Sequence, residues 1–344
     1  MKKTKLCAVI LLMELLIFYT GCSGQSVEGP DGGEDEGPVP YIKVGTKTIG
    51  NSTYDIVTFG NWPQTIKDDS VSILDEDNPT IKNGLQCYQG SDDAWYIKFG
   101  MEHYEKYYKV EPIKWRVLTN NYDHDNNPST PGKKLLFAES ILLPMNYYTN
   151  QNNRIIGSDT IYPNNYEYSE VRAYLNGLVF NKSGSNSNEW VDNGFLQFAF
   201  TSEEQSEIAI TTVINNARST NPDNNANQWN NGINDYASEI PTSDKIFLLS
   251  EQEATKAEYG FAVFDNVGTD STRIRIPTDF AKAKGAFVST EEGYNGNGAW
   301  WLRSPPRNDE YINRVRHVNE KGNAAGVVNV NAPARGIVPA LCLN

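Results

Sequence analysis

The chain has 344 residues, of which 39% are hydrophobic and 21% charged, enough apolar material for the core of one large domain or two small ones. Its formal net charge is −13, from 43 acidic and 30 basic side chains. Nucleic-acid binding needs cations that neutralise phosphates, so this balance excludes DNA and RNA as partners.

Residues 1–21 have the layout of a bacterial lipoprotein signal peptide: Lys2, Lys3 and Lys5, then the apolar stretch 7–20, then Gly21 before Cys22. The stretch is too short to span a bilayer comfortably. Gly21-Cys22 resembles a lipobox, although Tyr19 stands where Leu, Val or Ile is usual and Glu14 interrupts the apolar run. Plain secretion and an uncleaved anchor are the alternatives. Cleavage before Cys22 would leave a mature chain of net charge −15, because Lys2, Lys3, Lys5 and Glu14 are lost. Acylated Cys22 would hold it on a lipid bilayer, which places the protein in the bacterial cell envelope, at the outer membrane or cell surface. Residues 22–40 are rich in Gly, Pro, Ser and acidic groups and read as a tether, with a single domain over 41–344.

Strand signals recur at residues 54–59, 110–118, 135–138, 246–249, 300–302, 312–318, 327–330 and 337–343. Val171, Tyr174, Leu175, Leu178 and Val179 keep the spacing of one apolar helix face. Thr201 with Glu204 and Ser250 with Glu253 match capping boxes, and Thr278 and Gly285 bracket a short helix. Helices and strands do not alternate regularly, so the fold class is α+β with mixed, mainly antiparallel sheets and long loops.

Asp123, Asp125 and Asn127 put oxygen-bearing side chains at alternate positions, a pattern that suits Ca²⁺, but the Gly and distal Glu of an EF-hand loop are missing and a polar turn is the simpler reading. His103, His124 and His317 lack the spacing of a compact metal motif, and no metal or cofactor is predicted. With Cys7 and Cys22 in the leader and at its end, Cys87 and Cys342 remain as a possible disulfide or as two separate buried thiols.

The segment Trp300-Trp301-Leu302-Arg303-Ser304-Pro305 sets Trp301 and Arg303 on one face of an extended strand, where indole beside guanidinium suits a planar or anionic ligand. Core tryptophans and an internal Arg303 ion pair are the alternative. Arg307, Tyr311, Arg314 and Arg316 extend the candidate surface, with Glu320-Lys321-Gly322-Asn323 as a hairpin turn; a solvated strand face paired with nearby acids is the alternative there.

Phe59-Gly60-Asn61-Trp62-Pro63-Gln64-Thr65, Val110-Glu111-Pro112-Ile113-Lys114-Trp115-Arg116-Val117-Leu118, the helix Glu170-Val171-Arg172-Ala173-Tyr174-Leu175-Asn176, the strand Asp244-Lys245-Ile246-Phe247-Leu248-Leu249-Ser250, the Trp300–Pro305 segment and Gly336-Ile337-Val338-Pro339-Ala340-Leu341 occur in this order. Together they resemble an uncharacterised, lipoprotein-associated bacterial domain family over about residues 45–344. Val338 stands where that family has Arg. At greater distance, the Trp-rich strand, late hairpin and closing strand are similar to the C-type-lectin-like fold of formylglycine-generating, sulfatase-modifying factors and of bacterial surface binders. That resemblance implies a ligand surface over residues 300–335. The expected function is a lipid-anchored binding protein that recognises a glycan, peptide or surface partner. The alternatives are a formylglycine-generating-type oxidoreductase, with Cys87, Cys342 and His317 gathered by folding, and a structural envelope lipoprotein. An enzyme is the less favoured class.

Overall fold

Strand β1 (Ile42–Ile49) turns at Gly50, whose φ of +59° suits glycine, into the long strand β2 (Ser52–Ile66). The computed structural model describes residues 41–122, 132–178, 193–222, 241–263, 269–306 and 311–344. Cys22, the tether, Asp123, Asp125, Asn127 and Arg307 lie outside these described residues.

Short strands β3 (Thr80–Lys82), β4 (Leu85–Gln89) and β5 (Trp95–Phe99) lead into β6 (Lys106–Tyr122), which pairs with β2 along one edge. The other edge of β6 carries two wings. Near its start lie β5, β4 and β3; near its end lies β7 (Lys133–Ala138). A bulge in β2 gives it one more residue than β6 between Thr58 and Asn61, at Gly60. That extra residue turns Phe59 and Trp62, which plain alternation would place on opposite faces, both into the core. Only glycine fits there: its φ is +67° and a Cβ would lie 2.4 Å from the Phe200 ring.

Strand β8 (Leu143–Pro144) and the hairpin β9 (Arg154–Ile156) to β10 (Asp159–Ile161) precede helix α1 (Glu170–Asn176). Ser169 caps α1 by accepting the Arg172 amide, and Gly177 ends it at φ +63°. Val171 and Leu175 are sealed in the core, as their spacing predicts. Helices α2 (Phe195–Ala199) and α3 (Ser202–Glu207) follow, with both bonds of the Thr201–Glu204 capping box formed. Next come β11 (Thr211–Val213), α4 (Ala217–Thr220), β12 (Thr242–Asp244) and β13 (Ile246–Phe247). The α1 motif is locked to the strand motif after β11: Arg172 Nη2 reaches Asp244 at 2.8 Å, and Asn176 bonds the Ile246 backbone in both directions.

The Ser250–Glu253 box also forms, but it heads only the single 3₁₀ turn Glu253–Thr255. Helix α5 (Asp279–Ala283) starts at the Thr278 cap. Strands β14 (Trp300–Trp301), β15 (Arg314–Val318), β16 (Gly326–Asn329), β17 (Gly336–Ile337) and β18 (Ala340–Leu343) finish the chain. Of these, β14 to β17 form a second sheet with β8, and β18 returns between β7 and β13 of the first. The hairpin between β15 and β16 turns at Gly322, φ +80°, as expected. The fold class is α+β with mostly antiparallel sheets.

Four buried tryptophans pin these layers. Trp62, Trp115, Trp300 and Trp301 each donate their indole N–H to a main-chain carbonyl, of Leu142, Phe59, Arg273 and Met145 respectively. Among the described residues the core runs from Val57 to Leu343, within the compact unit Pro40–Asn344. Among the described residues, no helix is long and apolar enough to cross a membrane.

Candidate functional site

The strand expected to present an open aromatic and cationic face is sealed. Trp301 has no exposed surface and packs on Tyr147 with ring centroids 5.7 Å apart. Arg303 is 3% exposed, and every guanidinium nitrogen is engaged: Nε donates to Ile214 O, Nη1 to Leu248 O and Glu253, and Nη2 to Glu253 at 3.0 Å. Glu253 also accepts the Tyr122 hydroxyl. Burial raises its pKa, but the Arg303 charge and these bonds hold it down at about 2. Alternation assigns faces to β14 but not exposure; both faces are covered, one by Phe137 against Trp300 and the other by Tyr147 against Trp301. The outward surface on Trp301 and Arg303 is therefore corrected to an internal ion pair and core indoles.

The rest of that surface divides into separate pairings. Arg316 reaches the buried carboxylate of Glu251 at 3.3 Å, and Arg314 lies over the Tyr311 ring at 4.7 Å. Tyr311 and Arg314 stay partly exposed; Arg307 is outside the described residues.

The disulfide expectation is also corrected. Cys87 aligns through Ile97 with Tyr108 of β6, whereas Cys342 aligns through Leu135 with Thr119, eleven residues along the same strand. At about 3.3 Å per residue the sulfurs are on the order of 30 Å apart, far beyond bonding reach. Both thiols are buried and unpaired, and burial pushes both pKa values up, that of Cys342 to about 12. The two cysteines are thus not gathered as a formylglycine-type centre needs, and no group of three potential metal ligands forms among the described residues.

Two cavities instead flank the Gly60 bulge, and the sequence motif there builds both. Trp62 and Pro63 wall an open apolar cleft of about 320 Å³, joined by Leu85 and Ile97 of the β3–β5 wing, Leu143 to Met145, Tyr174, Phe198, Phe280 and Lys284. Phe280 is its hub, meeting Trp62, Phe99 and Tyr108 edge-on at 6.3, 5.6 and 5.4 Å. Among the described residues Lys284 is the cation that lines the cleft, its Nζ 4.4 Å from the Phe99 ring centre; burial lowers its pKa.

Gln64 and Thr65, next in the chain, line a polar pocket of about 300 Å³ with Thr58, Glu111, Lys114, Glu139 and Ser140. Thr65 Oγ1 donates to Glu111 at 2.6 Å, and Gln64 Nε2 donates to the Glu111 and Pro112 carbonyls. Behind the pocket, Glu139 Oε1 faces Arg116 Nε at 3.6 Å and Arg275 Nη2 at 3.5 Å, while Oε2 accepts Lys47 Nζ at 2.5 Å. Burial raises the Glu139 pKa, but Arg275, Arg116 and Lys47 together hold it below the usual carboxylate range. No single motif announces either cavity, since the walls of the cleft come from residues 62 to 284 and those of the polar pocket from residues 58 to 142. The one local signal is the glycine interrupting an aromatic strand before Trp62.

No curated protein and no solved structure is significantly similar to the chain. Residues 131–344 match the profile of a family described as a domain of unknown function, DUF6273. The Gly60 motif and the parts of both cavity walls built from β2 to β6 precede that span, whereas α1, α5, the Trp-rich strand and the closing strand lie within it. More than half of the chain is covered, and the protein belongs to the DUF6273 family.

Proposed function

We propose that the protein is a lipid-anchored binding module of the bacterial cell envelope, of C-type-lectin-like architecture, whose ligand site is the apolar cleft beneath Trp62 and Phe280. The return of the last strand into the first sheet and the late β15–β16 hairpin support the architecture. The single observation that carries the function is the cleft itself: an open cavity of about 320 Å³ with walls that are almost wholly aliphatic, aromatic or proline, and one ammonium group. Its one indole N–H is already spent on Leu142 O, so the cleft offers few partners for sugar hydroxyls. An apolar side chain beside a carboxylate fits both the walls and Lys284. The ligand class is therefore an acidic, hydrophobic peptide segment of a surface partner.

The test uses the full chain against arrayed peptides that carry one large apolar residue flanked by acidic, neutral or basic residues. The acidic set is retained, and Leu85→Asp lowers its affinity at least tenfold at unchanged thermal stability. Equal retention of the basic set, or binding unaffected by Leu85→Asp, rejects the site. Labelling of the full chain with radioactive palmitate, lost in Cys22→Ala, tests the anchor.

A further inference from the structure

We infer that the polar pocket beside Glu139 is a second, independent binding site, for the carboxylate of a small hydroxylated acid of about monosaccharide size. Arg116 is fully buried, yet its Nε, Nη1 and Nη2 have no hydrogen-bond acceptor, and Arg275 Nη2 is likewise unmatched. Aromatic faces hold the two guanidiniums: Arg116 lies 4.8 Å from the Phe261 ring centre, and Arg275 lies 4.8 Å from that of Phe137. Cation–π contact positions a guanidinium but leaves its N–H donors free to meet an anion in the plane.

Glu139 is a poor occupant of that position. A single oxygen serves both arginines at distances too long for hydrogen bonds, and that oxygen has no hydrogen-bond donor of its own. The buried Arg116 and Arg275 share the one carboxylate of Glu139, which also meets the partly exposed Lys47. The Asp270 charge favours both guanidiniums from a distance, but its own oxygens are bonded to Arg273 at 3.2 Å and to Thr272, so it accepts no hydrogen bond from either. Burial first, and the neighbouring Arg116 charge next, lower the Arg275 pKa, the direction expected of a buried cation pair short of anions.

Glu139 also lines the pocket, so it stands between the arginines and solvent. A ligand carboxylate can replace Oε1 at the guanidiniums while Oε2 stays with Lys47, and the planar carboxylate matches the guanidinium fork. Thr58, Gln64, Glu111 and Ser140 would then surround the remainder of the ligand with groups that hydrogen-bond hydroxyls. Lys114, two residues before Arg116 on the same face of β6, stands exposed at the entrance.

Calorimetric titration of the full chain with glucuronate, glucose and acetate tests this. Saturable binding of glucuronate at least tenfold tighter than of glucose or acetate is expected. Glu139→Gln removes the competing charge without changing side-chain volume and should tighten glucuronate at least fivefold; Lys114→Glu, at the surface, should weaken it at least fivefold. Glucuronate binding no tighter than glucose, or unchanged in Glu139→Gln, overturns the site, as does acetate binding equal to glucuronate. Leu85 does not line this pocket, so the cleft can fail its test while this site passes, and the reverse.

Discussion

Arg303 and Arg116 are both sealed from solvent, and they are opposite in kind. Arg303 has spent its donors on a forked carboxylate and two main-chain carbonyls. Arg116 touches two aromatic rings and one carboxylate at 3.6 Å, with no hydrogen bond. Burial does not separate a structural cation from a recognising one; the count of unspent donors does. By that criterion Arg303, where a binding face was expected, is a satisfied staple, and Arg116, beside the pocket near β2, keeps its donors unspent.

The largest expected effect falls on the staple. Arg303→Met leaves Glu253 buried without its counter-charge and should cost about 3–5 kcal/mol in urea unfolding. A loss under about 1 kcal/mol would mean that the staple is no more structural than Arg116.

A middle effect comes from His317, which is buried next to the last residue of β15. Burial, then the charges of Arg335 and Arg316, lower its pKa from 6.5 to about 3. The unfolded chain therefore binds a proton that the folded one refuses, so stability is full above pH 6.5 and falls as pH drops towards 3. Between pH 6.5 and 4.5, above the window in which Glu253 protonates on unfolding, about 2–3 kcal/mol should be lost. Unfolding measured across that window, flattened in His317→Gln, checks it. A flat wild-type profile would show that the second sheet tolerates the charge.

The smallest effect is predicted at Arg116. Arg116→Met keeps the volume, removes a buried cation with no hydrogen bond, and leaves Glu139 with Arg275 and Lys47. Stability should change by less than about 1 kcal/mol or rise, whereas glucuronate binding should vanish. A destabilisation equal to that of Arg303→Met would erase the contrast between the two arginines.

Local structure was legible wherever a signal involves neighbours in sequence. The spacing of Val171 and Leu175 marked α1, Thr201 with Glu204 marked the start of α3, and Gly322 marked the late hairpin. The Ser250–Glu253 box heads only one 3₁₀ turn, and the same carboxylate also anchors Arg303 and Tyr122. The β3–β5 wing escaped notice: its strands have three to five residues and Ile81 is exposed, so they lack the alternation of a half-buried strand.

What the sequence determined by itself is the class: an α+β chain, acidic, with its tryptophans and glycines at the bends and strands that build the core. Hydrophobic period, caps and turn glycines act over four residues or fewer, and that range is enough to set secondary structure. Only the tertiary structure decided which cations are spent. Arg303 found Glu253 fifty residues away, and Arg116 found nothing to accept its hydrogens. Hydrogen-bond satisfaction depends on which distant groups the sheets bring within about 3 Å, a fact no local pattern records.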